Sequence, residues 1–284
     1  MPAFELLAPA SEEEAIAALR TLGPGEAVPI AGGTNLLFDL DDGRVAPRRV
    51  ISLRRLPWKT LDWTGDALAI GSTLPLRSLE DDPRVREKHP GLYEAVRNVG
   101  SVALRHRATL GGNLVRSAPA SDLTPVLLAL DAVVEIVGPH GTRQQTVDRF
   151  LQGSRRTDLG PGELVRAVHL PETRPSAFLW QRVRPSNDIS QVAVAAAYSP
   201  GGRSWRVAVG GVSPRPTLFP EAAEVLGAGR PALEGVRRAA ARTAERCAFV
   251  TDRRASEEFR RRLVATLLER AVTTVVGQGG FRPS

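Results

Sequence analysis

Apolar residues recur at helical spacing behind an acidic start: Ser11 and Glu12-Glu13-Glu14 precede Ala15, Ile16, Ala18, Leu19 and Leu22. A serine with a glutamate three positions on is a capping box, so a helix is expected here, stopped by Gly23-Pro24-Gly25. Val28 to Ile30 reads as a short strand running into Ala31-Gly32-Gly33-Thr34-Asn35. Leu36, Leu37 and Leu40 then resume an apolar pattern, and Val50 to Leu53 reads as a strand. Residues 1–55 therefore predict a small β-α-β-loop-α-β unit.

Beyond it, strand-like pieces at Thr60 to Trp63 and Ala67 to Gly71 flank Thr64-Gly65-Asp66 as a hairpin. A helix is expected over 91–99, followed by a polar, glycine-bearing loop over 100–120, longer than a connector needs. The apolar run Leu123 to Leu130 comes next, then strands at Ala132 to Val137 and Leu164 to Leu170. Residues 171–175 read as a linker. After it, Val192 to Tyr198 and Ser204 to Val212 form a hairpin around Pro200-Gly201-Gly202, and helices are expected over 233–249 and 256–275. The pattern divides the chain into 1–172, itself split at 55/56, and 176–280, a sheet backed by helices.

Composition narrows the class. At 284 residues, 42% hydrophobic and 24% charged, the chain is large enough to bury a core without staples. Cys247 is its single cysteine, so it holds neither the thiolate set of an iron–sulfur cluster nor an internal disulfide, and a reducing cytoplasm is the expected setting. The longest apolar stretch, 123–134, is interrupted by Pro125 and Asp131 and is too short to span a bilayer, and the amino terminus has no basic region of an export signal. Only Lys59 and Lys88 are lysines among 38 cations, at a net charge of +7. That arginine skew fits either a grip on phosphate or carboxylate groups or a chain-wide compositional bias. With aromatics at 5% and no basic block interleaved with them, nucleic-acid binding is not expected.

Two loops carry candidate chemistry, Ala31-Gly32-Gly33-Thr34-Asn35 and Thr109-Leu110-Gly111-Gly112-Asn113. Paired glycines reach positive φ and let backbone N–H groups approach a phosphate, while Thr and Asn add side-chain donors. On that reading Gly33 and Gly112 are positions where positive φ and close approach exclude a Cβ. Either loop alone is an ordinary turn; together they suit a clamp on a pyrophosphate. Neither is G-x-G-x-x-G or G-x-x-x-x-G-K-[ST], so the usual nicotinamide and nucleoside-triphosphate fingerprints are absent.

Taken in order, the segments 29–37, 109–123 and 182–192 resemble the flavin subunits of molybdenum hydroxylases, the family of xanthine and carbon monoxide dehydrogenases. They read Pro-Ile-Ala-Gly-Gly-Thr-Asn-Leu-Leu, Thr-Leu-Gly-Gly-Asn-Leu-Val-Arg-Ser-Ala-Pro-Ala-Ser-Asp-Leu and Arg-Val-Arg-Pro-Ser-Asn-Asp-Ile-Ser-Gln-Val. The resemblance spans nearly the whole chain and implies an α+β fold. It comprises a two-part FAD-binding domain of the PCMH type, like that of vanillyl-alcohol oxidase, and the carbon monoxide dehydrogenase flavoprotein C-terminal domain. It further implies noncovalent FAD, with Ile30, Ala31, Gly32, Gly33, Thr34, Asn35 and Leu36 around the pyrophosphate and Thr109, Leu110, Gly111, Gly112 and Asn113 completing the clamp. Asp122 is implied to hydrogen-bond the cofactor, Val165 to pack on it, and Asp188 and Ile189 to cover one face of the isoalloxazine. Read as residues alone, Asp122 is the N-cap of the run from Leu123, and Asp188 caps the strand near Val192.

Two positions depart from the family. Trp180 replaces a common lysine and Val99 an aromatic found at the flavin in some relatives. Arg182 or Arg184 supplying the missing charge, and Trp180 stacking instead, both stay open. His106 is read as an exposed loop side chain without a role. The Arg253 to Arg262 run is read as a solvated helix face, with Phe259, Leu263, Thr266, Leu267 and Ala271 pointing inward.

The resemblance implies an electron-transfer subunit with no catalytic residue or metal of its own. It would take electrons from an iron–sulfur small subunit in a complex with a molybdopterin large subunit, and pass them to NAD, quinone or oxygen. A free-standing FAD-dependent oxidoreductase of the same fold is the alternative, and a basic anion- or nucleic-acid-binding protein the remote one.

Overall fold

In this computed structural model, residues 3–23, 25–184 and 187–279 are described. Pro24 of the predicted helix stop, residues 185–186 of the third motif, and the end of the predicted second domain at 280 lie outside them. Strands β1 (Glu5–Leu7), β2 (Ala27–Ile30) and β3 (Arg49–Ser52) form a parallel sheet in the order β1-β3-β2, with helices α1 (Glu12–Arg20) and α2 (Leu36–Asp41) between them. Ser11 caps α1 by accepting from the Glu14 N–H at 3.2 Å, while the Glu14 carboxylate reaches back to Ala10 N–H at 2.8 Å, one residue earlier than in an ideal capping box. Ala15, Ile51, Leu53, Leu56 and Trp58 pack with Val137 and Leu164, seating this unit on the next sheet.

The second unit runs β4 (Leu61–Thr64), β5 (Ala67–Gly71), α3 (Leu76–Asp81), α4 (Pro83–Lys88), α5 (Pro90–Asn98), α6 (Val102–Arg105), α7 (Leu110–Arg116), α8 (Leu123–Ala129), β6 (Val133–Gly138), β7 (Gly141–Thr146), α9 (Val147–Phe150), β8 (Leu151–Gly153), β9 (Arg156–Thr157) and β10 (Leu164–Leu170). Five strands pair antiparallel in the order β4-β5-β10-β6-β7, and β8 and β9 form a separate hairpin. The stretch read as one polar loop, 100–120, contains two helices. Ser101 and Thr109 cap them, accepting from Leu104 N–H at 3.2 Å and Gly112 N–H at 3.1 Å, and Leu110 and Leu114 are buried. Glycine lowers helix propensity, and burial of one face of α7 overrides it.

The third unit has β11 (Ser176–Gln181), β12 (Val192–Ser199), β13 (Ser204–Gly210) and β14 (Thr217–Leu218), antiparallel in that order, with α10 (Pro220–Leu226), α11 (Leu233–Arg246) and α12 (Glu257–Gly277). Every residue of β12 is buried, because the sheet is covered twice. Ala193, Ala195 and Ala197 pack in the core of the second unit with Leu92, Val96 and Leu127, whereas Val192, Val194, Ala196 and Tyr198 pack against α11 and α12 residues. The chain on either side of 171–175 thus shares a core, and the sheet predicted to be backed by helices has them on both faces.

The arginine run differs from its reading as a solvated face. Arg260 is 1% exposed and donates to the Gln191 carbonyl, to the Gly211 carbonyl at 2.6 Å and to the Asp252 carboxylate at 2.6 Å. Phe259 is 41% exposed and Thr266 exposed, so the inward face is rotated to Arg260, Val264, Leu267, Leu268 and Ala271. Both Nη groups of this buried guanidinium have acceptors, which makes its burial tolerable, while its Nε has none among the described residues. Cys247 is buried, and burial pushes its thiol up to about 12, which leaves it unreactive. Among the described residues no helix is long and apolar enough to cross a membrane.

His89 is fully buried against Trp63, 5.7 Å between ring centres, and among the described residues neither ring nitrogen has a hydrogen-bond partner. Burial, with Lys88 and Arg174 nearby and Asp66 opposing, lowers its pKa to about 4. An unfolded histidine titrates near 6.5, so between these values the unfolded chain binds the extra proton and stability falls as pH drops. Denaturation in urea is expected to show a loss approaching about 3 kcal/mol from pH 7 to pH 4, over and above the carboxylates' contribution. His89→Leu should remove that part of the slope.

Candidate functional site

Both glycine loops open onto one cleft of about 410 Å³ between the first and second units. Ile30, Ala31, Gly32, Gly33, Thr34, Asn35 and Leu36 all line it, as do Thr109, Gly111, Gly112, Asn113 and Val165. Leu110 does not; it is fully buried on the core side of α7.

The glycines divide their work differently from the expectation. Gly33 has φ +77°, the left-handed region a side chain resists. At Gly32 a Cβ would fall 1.9 Å from the Arg107 carbonyl oxygen, so this glycine lets one loop lie directly on the backbone leading into the other. Gly111 is pressed on Ser72, whose Cβ would be 2.5 Å from an added Cβ. Gly112, expected at positive φ, is instead a helical, exposed residue of α7, whose added Cβ would meet only Thr109 Oγ1, at 3.0 Å.

Among the described residues, the N–H groups of residues 32–36 donate to no protein acceptor, although Leu37 N–H donates to Gly33 O and Asp39 N–H to Asn35 O. Asn113 accepts from Ser121 Oγ at 2.7 Å through Oδ1, and among the described residues its NH₂ has no acceptor. Ser72 Oγ, in the cleft wall, is buried without a partner among the described residues. Leu53, Val99, Leu104, Leu159, Leu164 and Val165 supply apolar wall. A run of free amides beside apolar surface fits a ligand with an anionic diphosphate and a flat ring.

Charged residues the sequence reading missed frame the cleft. Asp39 on α2 is buried and paired with Arg116 on α7, whose second nitrogen donates at 3.2 Å, so the two helices are tied across the cleft. Arg116 holds the Asp39 carboxyl below the usual carboxylate range against the opposing effect of burial. Glu163 is likewise taken by Arg143, at 2.7 and 2.8 Å. Arg105, buried, grips Glu80 and the carbonyls of Val99 and Gly100, which fixes the turn presenting Val99. The signal available for these residues was only their charge, because the pairs Asp39–Arg116, Glu163–Arg143 and Arg105–Glu80 each join residues at least 20 positions apart.

Asp122, Asp188 and Ile189 do not line the cleft. Nor is Asp122 a side-chain cap: its φ of −75° and ψ of −28° are helical, and Ser121 Oγ accepts the Thr124 N–H instead. Its carboxylate pairs with Arg182 and accepts from Ser190 Oγ at 2.6 Å; burial pushes it up while both partners pull it down. Arg182 also donates to the Asn98 carbonyl at 2.8 Å, next to Val99. Arg182 and Ser190 bracket the segment bearing Asp188 and Ile189, so this cluster pins both its ends beside the cleft. Arg182 is thereby committed, and Trp180 stacks on Phe178, 5.6 Å between centres, under the Arg182 guanidinium. Asp188 accepts from Arg184 N–H at 2.8 Å and Ile189 N–H at 2.9 Å, which hold it below the usual carboxylate range, and Ile189 is 45% exposed. His106 is exposed, as expected.

Comparison with known proteins agrees with this geometry. Residues 2–173 match the family described as FAD binding domain in molybdopterin dehydrogenase, and residues 178–275 the CO dehydrogenase flavoprotein C-terminal domain. The chain is 30% identical to the nicotine 6-hydroxylase medium subunit of Paenarthrobacter nicotinovorans over 96% of this chain and 97% of that one. It is 27% identical to the carbon monoxide dehydrogenase medium chain of Afipia carboxidovorans over 95% of each. Its fold superposes on quinoline 2-oxidoreductase from Pseudomonas putida 86 with TM-score 0.89 at 27% identity, covering 98% of both chains. With carbon monoxide dehydrogenase from Hydrogenophaga pseudoflava the TM-score is 0.90 at 25% identity, again over 98% of both. A glycine-lined cleft with free amides, in a chain matched along its length by these subunits, places this protein in the FAD-binding medium-subunit family of the molybdenum hydroxylases, as an oxidoreductase flavoprotein subunit.

Proposed function

We propose that this chain holds FAD noncovalently in the cleft, takes electrons from an iron–sulfur small subunit of a complex whose large subunit carries molybdopterin, and passes them to an acceptor such as NAD, quinone or oxygen. The observation that carries this is the convergence of both glycine loops, with five free amides, on one cleft. Residues 30–36, Thr109 and residues 111–113 would hold the phosphates, Leu110 serving the core beneath them, and Val165 would pack on the cofactor. When bound, FAD supplies a ring that exchanges electrons with carriers of one or two electrons. The chain's own task is orientation. Asp188 and Ile189 would cover the ring, and Asp122 would act by anchoring their segment through Arg182, since both its oxygens are engaged. The two lining carboxylates, Asp39 and Glu163, are ion-paired, which disfavours a self-contained acid–base oxidoreductase. We place the complex in the cytoplasm, and the domains at 1–172 and 176–280.

The test is the visible spectrum of the purified chain, with the released cofactor and co-purifying subunits identified. A yellow protein releasing FAD together with iron–sulfur and molybdenum subunits is expected. FAD without partners would favour the free-standing oxidoreductase, and a colourless protein that takes up no added FAD would overturn the cleft assignment.

A further inference from the structure

Arg155, which the sequence reading did not single out, lines the cleft from the turn between β8 and β9. Its backbone is left-handed, φ +55°, a conformation where Asn or Gly is the unstrained choice. The turn is held there from α7. Arg155 N–H donates to the Ser117 carbonyl at 2.9 Å, Ser117 Oγ donates to the Gly153 carbonyl at 2.8 Å, and Ser117 is itself left-handed at φ +46°. A long cationic side chain on a left-handed position points to a use for that side chain.

The surrounding charges show what the use is. Arg116 takes Asp39, and Arg44 takes Asp42 at 2.8 Å. Arg155 is exposed, and among the described residues its guanidinium makes no hydrogen bond or ion pair, yet its charge acts on Asp39. One positive charge is therefore left over in a cleft whose free amides also call for an anion.

We propose that Arg155 is a binding residue for the anionic part of the dinucleotide, its guanidinium donating to a diphosphate oxygen together with the 32–36 amides. The proposal rests on the reading of the cleft as an FAD site. It makes the β8–β9 turn a third element of the phosphate site, set by strained backbone where the two motifs are set by glycine.

The test titrates FAD into the flavin-free full chain, read by flavin fluorescence at low and at physiological ionic strength, for wild type, Arg155→Asn and Arg155→Lys. The thermal midpoint of each flavin-free protein is measured in parallel. Asparagine tolerates the left-handed turn, so Arg155→Asn is expected to keep or raise that midpoint while weakening FAD about tenfold and flattening the salt dependence; Arg155→Lys should recover part of the affinity. Wild type binding FAD with Arg155→Asn unchanged would overturn the proposal and leave the cleft reading standing. So would a loss of affinity in step with a lowered midpoint, which marks a structural role. Failure of wild type to bind FAD would overturn both.

Discussion

Gly32→Ala is expected to empty the cleft of flavin. The added Cβ would sit 1.9 Å from the Arg107 carbonyl oxygen, 2.7 Å from its carbon and 3.2 Å from Ala108 Cα, all backbone atoms. That backbone cannot yield easily, because Ala108 N–H donates to Leu104 O and Leu76 N–H to Ala108 O, each at 2.8 Å. The 31–36 loop must therefore recoil and carry its free amides away from the second loop. Overpacking of this kind costs about 1–3 kcal/mol or more, so the chain should remain folded and lose its ligand. Flavin per chain after purification is expected below about a tenth of wild type, a loss of at least ~1.4 kcal/mol in binding. Gly112→Ala, with only the Thr109 hydroxyl at 3.0 Å to accommodate, should fold as wild type, so any flavin it loses reports on close approach of the ligand and not on the apposition of the loops. Stoichiometric flavin in Gly32→Ala would contradict the apposition of the two loops.

Arg182→Met is expected to be strongly destabilising. It strands the Asp122 carboxylate, 8% exposed, with only Ser190 Oγ as donor, and an uncompensated buried charge costs about 3–5 kcal/mol. Removing the charge as well, in Arg182→Met with Asp122→Asn, should recover more than half of that, because most of the cost is the unpaired ion and not the lost pair. The sign of the pH dependence provides a second readout. Without Arg182, burial raises the folded-state pKa of Asp122 unopposed by that charge, so the penalty is present at pH 7 and shrinks as pH falls and the carboxyl takes up a proton. Urea denaturation at pH 7 and pH 5 should therefore show the single variant closing part of its gap to wild type at the lower pH, and the double variant showing no such trend. A loss under about 1 kcal/mol at pH 7 would mean the pair is dispensable.

These two sites mark the division between what can be read along the chain and what cannot. Periodicity alone predicts the first unit, the 61–71 hairpin, β12 paired with β13, and the two long C-terminal helices, since each depends on neighbours in sequence. The paired glycines in 31–35 and 109–113, taken in order with the 182–192 segment, were sufficient to point to a flavin clamp and its family. The same local signals misread 100–120, where glycines inside a buried, side-chain-capped helix look like a loop. They also misassigned Gly112, whose helical backbone follows from burial of α7, and Arg260, whose acceptors on Gln191 and Gly211 come from other strands and turns.

The sequence by itself determined the elements, the two loops and the charge they suit, because secondary structure and turn chemistry are set by residues within a few positions. Only the tertiary structure decided that Gly32 serves loop-to-loop contact, that Asp122 belongs to Arg182 sixty positions away, and that Arg155, of the two arginines lining the cleft, is the one without a hydrogen bond or ion pair among the described residues. Ion pairing and close backbone approach depend on which surfaces the packed core brings together, and neither leaves a period or a spacing in the chain.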